Sequence, residues 1–152
     1  MSYTITLPVA FPIVGLPLVA AFALNGYQQH NVMNARKAAG VKYPVLYVSE
    51  AEANADPKKM RYNCAQRAHG NTLENIPYVL GLFGFLSLWH PKLATIFFSH
   101  WIIGRFSYTA GYSTGNPSGR MSFIYKSQYI SLLGLFLGAA YVAVTKSIEV
   151  LL

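Results

Sequence analysis

The chain has 152 residues, 53% of them hydrophobic and only 11% charged, and a formal net charge of +7. A soluble domain carries roughly 25% charged residues, so this chain has too little charge to cover a soluble surface, and its length excludes two ordinary domains. Its single cysteine, Cys64, excludes an internal disulfide framework and any multi-cysteine metal site. Net positive charge in a soluble chain would suggest nucleic acid. Here the basic residues lie between apolar runs, which fits loops beside anionic headgroups or pockets for anionic ligands, and no nucleic-acid partner is expected.

The first apolar run, Ile5 to Leu24, has the ~20-residue length that crosses a hydrocarbon core. Pro8, Pro12 and Pro17 punctuate it, as membrane helices tolerate. Ala21-Phe22-Ala23 resembles the cleavage site of a signal peptide, but residues 2–4 carry no positive charge and the run is long for a signal's apolar core. A retained span over about 5–25 is expected. Gly26 to Asn34 then leaves the membrane, and Arg36 to Arg61 is expected to be a loop, broken at Tyr43-Pro44 and Asp56-Pro57. That segment carries Arg36, Lys37, Lys42, Lys58, Lys59 and Arg61, which places it on the cytosolic side by the positive-inside rule.

The second span is expected over about 63–89, with Pro77 kinking it between a polar and an apolar half. A His90-Pro91 turn leads to a third span over about 93–112. The turn-rich STGNPSG loop, Ser113 to Gly119, leads to a fourth over about 122–144. Gly134-x-x-x-Gly138 suits close helix packing in that last span. The expected fold is all-α: one domain over residues 1–152, an integral membrane four-helix bundle with both termini on the lumenal side.

Asn63, Arg67, Asn71, Glu74 and Tyr78 are spaced four, four, three and four residues apart, so a helix puts them on one face. An acid, a guanidinium, two amides and a phenol make a good wall for a polar pocket. Arg105 lies inside the third span, where an arginine costs about 2.5–3.5 kcal/mol even on the lenient insertion scale. It shares a face with Tyr108 and Tyr112. Taken singly, each has a bland reading: an Arg67–Glu74 structural pair, a snorkelling Arg105, an aromatic belt. Together they converge at one depth, with Arg36, Lys37 and Arg120 bordering it, and intramembrane ionisable groups default to function. Guanidinium forks suit carboxylates, and Glu74 suits an ammonium. The ligand is then small, zwitterionic and net negative; glutathione fits that description, but composition alone does not name it. His69 lies about 200° around the helix from Arg67 and faces away from the stripe. It makes either a polar helix–helix contact or a contact to a neighbouring subunit's ligand. The four histidines show no metal spacing with Cys64, and no metal is expected.

Asn34-Ala35-Arg36-Lys37, the run Gln66-Arg67-Ala68-His69-Gly70-Asn71-Thr72-Leu73-Glu74, Gly104-Arg105 and Tyr108-Thr109-Ala110-Gly111-Tyr112 resemble the MAPEG family, the membrane-associated family of eicosanoid and glutathione metabolism. The resemblance covers about residues 30–125; the outer spans match only in hydropathy. It implies a homotrimer of four-helix subunits with glutathione bound between neighbours near the cytosolic face. It further implies glutathione contacts from Arg67, Asn71, Glu74, Tyr108 and Tyr112, with Arg36, Lys37 and His69 contributing around the subunit boundary. In the related cysteinyl-leukotriene synthase an arginine after the third span stabilises the thiolate. Gly119 falls at that position without a gap, and a one-residue insertion aligns Arg120, which takes the role here. Asn75 stands where that enzyme has a tyrosine.

The resemblance therefore implies a membrane-bound glutathione transferase and glutathione-dependent peroxidase. Its substrates would be lipid electrophiles, including leukotriene-type acceptors, and lipid hydroperoxides. Endoplasmic reticulum follows from the family, with the mitochondrial outer membrane as the other location. Two other readings stay open: a non-catalytic membrane protein that binds and presents lipids, as one relative does, and a small four-span channel or transporter. Against the latter, the ionisable groups gather at one side and form no path across.

Overall fold

The computed structural model describes residues 6–152. The expected start of the first span at Ile5 and the uncharged residues 2–4 lie outside the described residues. A 3-10 turn, Phe11–Val14, leads into α1 (Gly15–Ala38). Then follow a short α2 (Glu50–Ala55), α3 (Pro57–Ser87), α4 (Pro91–Tyr112), a second 3-10 turn (Pro117–Arg120) and α5 (Phe123–Leu151). The described residues contain no strand. Two stretches, Phe11–Ala38 and Phe123–Leu151, are long and apolar enough to cross a membrane.

The sequence boundaries need three corrections. The first helix runs far beyond residue 25, through the polar stretch Gly26 to Asn34, as far as Ala38. Its buried residues Pro17, Ala21, Leu24, Gln28 and Ala35 recur at helical spacing, so one packed face continues through the polar residues. The expected loop from Arg36 to Arg61 is shorter and contains α2, started by a capping box in which Ser49 Oγ accepts from Glu52 N at 3.3 Å and Glu52 Oε2 from Ser49 N at 3.2 Å. Asp56-Pro57 does not break a helix but begins one. Asp56 caps Lys58 N at 2.8 Å and Pro57 occupies the first helical position, where its missing N–H costs nothing. Helix α3 then continues through Pro77 to Ser87.

The four long helices pack with α3 and α4 at the centre: α4 lies against α5, α3 and α1, and α3 also meets α1 and α5. The apolar core holds Leu24 of α1, Phe83 and Leu86 of α3, Phe98 and Trp101 of α4, and Leu135 of α5. Phe83 and Phe98 meet at a tilt of 36°, with ring centroids 4.5 Å apart. The glycine pair of α5 works as expected within the chain: a Cβ at Gly134 would collide with the Phe97 ring of α4, and one at Gly138 would stand 3.0 Å from a Leu86 methyl of α3. The two small residues thus let α5 close on both central helices. Outward faces keep large apolar side chains exposed, among them Leu16, Val19 and Phe22 on α1 and Ile130, Leu133 and Phe136 on α5. Apolar surface facing outward around a packed interior is what a lipid-facing helix presents.

Candidate functional site

The buried stripes of α1, α3 and α4 turn polar at one level. Gln28, Thr72, Arg105 and Thr109 occupy positions that apolar residues fill elsewhere on the same stripes, and each is at most 2% exposed. They bond to one another, and among the described residues Gln28 Oε1 alone of this layer finds no partner. Gln28 Nε2 donates to Thr72 Oγ1 at 2.7 Å and to Thr109 Oγ1 at 2.8 Å. Arg105 donates to Thr72 Oγ1 from Nε at 3.2 Å and from Nη2 at 3.0 Å. The two threonines return their hydroxyl protons to the backbone, Thr72 to Ala68 O at 3.1 Å and Thr109 to Arg105 O at 2.8 Å. A buried guanidinium with no carboxylate partner is costly unless its protons are used. Here they reach Thr72 and Asn71, whose Oδ1 accepts from Arg105 Nη2 at 2.7 Å.

Asn71 carries this layer out to the α3 stripe. Arg67 and Glu74 form an ion pair there, Nη1 to Oε1 at 2.6 Å, with both side chains about half exposed. An exposed pair of this kind contributes little stability, so its two charges remain free to turn to a ligand. The other members of the expected wall do other work. Asn63 clamps the chain before α2, accepting from Val48 N at 3.0 Å and donating to Val48 O at 2.9 Å. Tyr78 is 77% exposed and stands apart. Asn75 turns to its own helix, donating to Asn71 O at 2.7 Å.

From α4 an aromatic ladder crosses to α5. Arg105 lies 4.7 Å from the Tyr108 ring centre. Tyr108 meets Tyr112 edge-on at 5.5 Å and Tyr125 at 4.6 Å. Tyr125 and Tyr129 share a hydroxyl contact of 2.9 Å. Arg120 closes the other end, its guanidinium 5.2 Å from the Tyr112 ring centre and donating to the Pro117 carbonyl. The loop can bring Arg120 this close because Gly111 and Gly119 pass backbone to backbone, where a Cβ on either would strike the other's carbonyl.

Sequence reasoning therefore named a set that the fold largely gathers: Arg67, Asn71, Glu74, Tyr108, Tyr112 and Arg120. It separated others. His69 pairs with Asn25 of α1 at 3.0 Å, a helix–helix contact inside the chain. Arg36 is buried between the rings of Tyr43 and Tyr62, at 4.2 and 4.8 Å. Lys37 is exposed at the end of α1. Sequence reasoning missed Gln28, Thr72, Thr109, Tyr125 and Tyr129. The first had a legible signal, since its spacing from Ala21 and Leu24 places a glutamine on a packed stripe. Tyr47 was also missed, and its hydroxyl rests over Gly70, 3.6 Å from where a Cβ there would stand.

No solved structure matches the chain. The profile of the MAPEG family matches residues 14–141. That family comprises membrane proteins that use glutathione, and it includes glutathione transferases and peroxidases. Because the match runs from the turn before α1 into α5 and takes in every residue of the polar layer and of the aromatic ladder, the chain belongs to the MAPEG family.

Proposed function

We propose that this chain is a membrane-bound glutathione transferase and peroxidase, similar to type-3 microsomal glutathione S-transferase. It is one domain over residues 1–152 that crosses the membrane four times and assembles as a homotrimer in the endoplasmic reticulum, with the site facing the cytosol. The observation that carries the reading is the convergence of Arg67, Asn71 and Glu74 of α3, Tyr108 and Tyr112 of α4, and Arg120 of the following loop, joined through Arg105. Arg67 takes a glutathione carboxylate, Glu74 takes its ammonium, and Asn71 and the tyrosines orient the tripeptide. Arg36, Lys37 and His69 act around the subunit boundary.

Arg120 supplies the chemistry. Its guanidinium beside the sulfur favours thiolate over thiol, lowering a pKa of roughly 8.5. The released proton passes to solvent. The thiolate then forms a C–S bond with an electrophilic carbon of a lipid delivered sideways from the bilayer, breaking an epoxide C–O bond or the π bond of a conjugated alkene, and the oxygen or carbon left negative takes a proton from solvent. With a hydroperoxide it attacks the terminal oxygen instead, breaking the O–O bond to give an alcohol and a sulfenic acid, which a second glutathione converts to disulfide and water.

The test is direct. Purified protein is given glutathione with a generic electrophile, and separately with a fatty-acid hydroperoxide. Conjugate and alcohol are expected. Turnover of neither substrate, beside measurable lipid binding, would overturn the reading.

A further inference from the structure

A cavity lies where α1 ends, α3 begins and α4 stops. Its volume is about 340 Å³, within the ~300–1,000 Å³ range of small-molecule sites. Asn31, Asn34 and Ala35 of α1, Lys58 and Arg61 of α3, and Ser113 just after α4 line it. None of the residues assigned above to glutathione is among its lining residues.

Its chemistry is one-sided. Arg61 spends only its Nε, donating to Ser113 O at 3.0 Å, which aims the guanidinium and leaves the Nη edge without a protein acceptor. Among the described residues no carboxylate pairs with Lys58 or Arg61; the three ion pairs all lie elsewhere. Ser113 Oγ is buried with no hydrogen-bond partner. The nearest acid in sequence, Asp56, is engaged with Lys58 N at the start of α3. A guanidinium, an ammonium, a buried hydroxyl and the side chain of Asn31 thus line one cavity with no carboxylate among them. A carboxylate offers two acceptor oxygens; a phosphate offers three or four in tetrahedral array, matching donors that arrive from α1, from α3 and from the residue after α4.

We propose that this cavity is a phosphate-binding site, taking a phosphomonoester group at the basic end of the helices. Two sources carry that chemistry: the headgroup of a phosphorylated lipid, reached from the membrane surface, and a free phosphate-bearing solute. Lys58 and Arg61 hold the charge, and the Ser113 hydroxyl and the Asn31 amide nitrogen complete the donor set.

The test uses the full chain. In neutral detergent, calorimetry with inorganic phosphate reads the shared chemistry. Nanodiscs of phosphatidylcholine alone, and with a phosphatidylinositol monophosphate added, read the lipid source. Saturable phosphate binding is expected, weakened on the order of tenfold or more in Lys58→Gln and in Arg61→Gln. Lys58 forms no ion pair among the described residues, so Lys58→Gln is expected to melt as the parent does and keeps the experiment informative should Arg61→Gln lose its Ser113 contact and fold poorly. Protection of Lys58 from amine-reactive labelling only in phosphoinositide discs assigns the lipid source; equal protection by dissolved phosphate in plain discs assigns the solute. Binding of neither probe, or binding undiminished in Lys58→Gln and Arg61→Gln, would overturn the site. Glutathione turnover is expected to persist in Lys58→Gln, so failure here is distinct from failure of the glutathione reading.

Discussion

Arg105 and Asn71 face each other across the α4–α3 contact, with Nη2 and Oδ1 2.7 Å apart. The bond joins a buried charge to an amide of the outward stripe, so the core of the bundle positions a residue of the proposed binding wall. Arg105→Leu removes three hydrogen bonds and leaves Asn71 Oδ1 without its donor, while Thr72 keeps Gln28 and Ala68 as partners. The expected loss is about 2 kcal/mol or more of stability. Glutathione affinity should fall with it, because Asn71 is then free to rotate. Arg105→Lys should recover only part of either, since one ammonium cannot reproduce the fork that spans Thr72 and Asn71. Thermal melts and glutathione titration of both variants check this; full rescue by lysine would refute the positioning role.

Arg67 and Arg120 separate binding from chemistry. The Arg67–Glu74 pair is exposed, so Arg67→Ala is expected to change stability by less than about 1 kcal/mol while raising the glutathione Kd. Arg120→Ala is expected to lose turnover on the order of 100-fold with glutathione still bound. Equilibrium binding beside steady-state kinetics distinguishes the two. Wild-type turnover in Arg120→Ala would remove that residue from the mechanism.

Gly111 tests whether the loop holds Arg120 in place. Its missing side chain lets the Gly119 carbonyl pass. Gly111→Ala must push Gly119 and Arg120 away from Tyr112. A misplacement near 1 Å costs on the order of 100-fold in rate, so kcat should drop much as in Arg120→Ala, with the glutathione Kd little changed. A variant with parental kcat would show that the close backbone approach serves packing alone.

The pH response of the basic loop follows from Glu52 and Lys59, 2.8 Å apart. Lys59 and the Ser49 cap hold the Glu52 carboxyl down at about 2. A depressed acid contributes stability that is present above its ordinary value of 4.5 and lost as pH falls from there towards 2. Lys59 is raised by the same partner, so its contribution is present below its ordinary 10.5 and disappears as pH climbs through the raised value. Protection of the α2 amides from hydrogen exchange should therefore be flat near neutrality and fall at the acid end. Glu52→Gln should exchange faster than the parent at pH 7, the difference closing as the parent's own carboxylate is protonated. A difference independent of pH would assign the effect to the side-chain amide itself.

Much of the site was legible in the order of residues. The spacing of Arg67, Asn71 and Glu74 defines a face on any helix, and Tyr108 and Tyr112 repeat at one turn. The loop arginine was named from the family's pattern. Less legible were the partners of Arg105, because a hydroxyl on Thr72 or an amide on Gln28 is unremarkable until three helices bring both to one guanidinium. The same limit hid the division among polar neighbours. Asn63 and Asn71 share a helical face, yet one clamps a loop and the other joins the polar layer. Which it is depends on what the rest of the chain lays beside them.

By itself the sequence determined that this is an all-helical, lipid-compatible chain with most of its ionisable groups in two of its connecting segments and the helix ends beside them, since composition, apolar run length and helical spacing are properties of the covalent order. Tertiary structure decided where the helices start and stop. Packing of Gln28, Tyr62 and Ala65 keeps polar and basic stretches helical that hydropathy would release into loops. It also decided which polar groups meet, because hydrogen bonds of 2.7 to 3.2 Å between residues 33 to 81 positions apart exist only once the helices close around them.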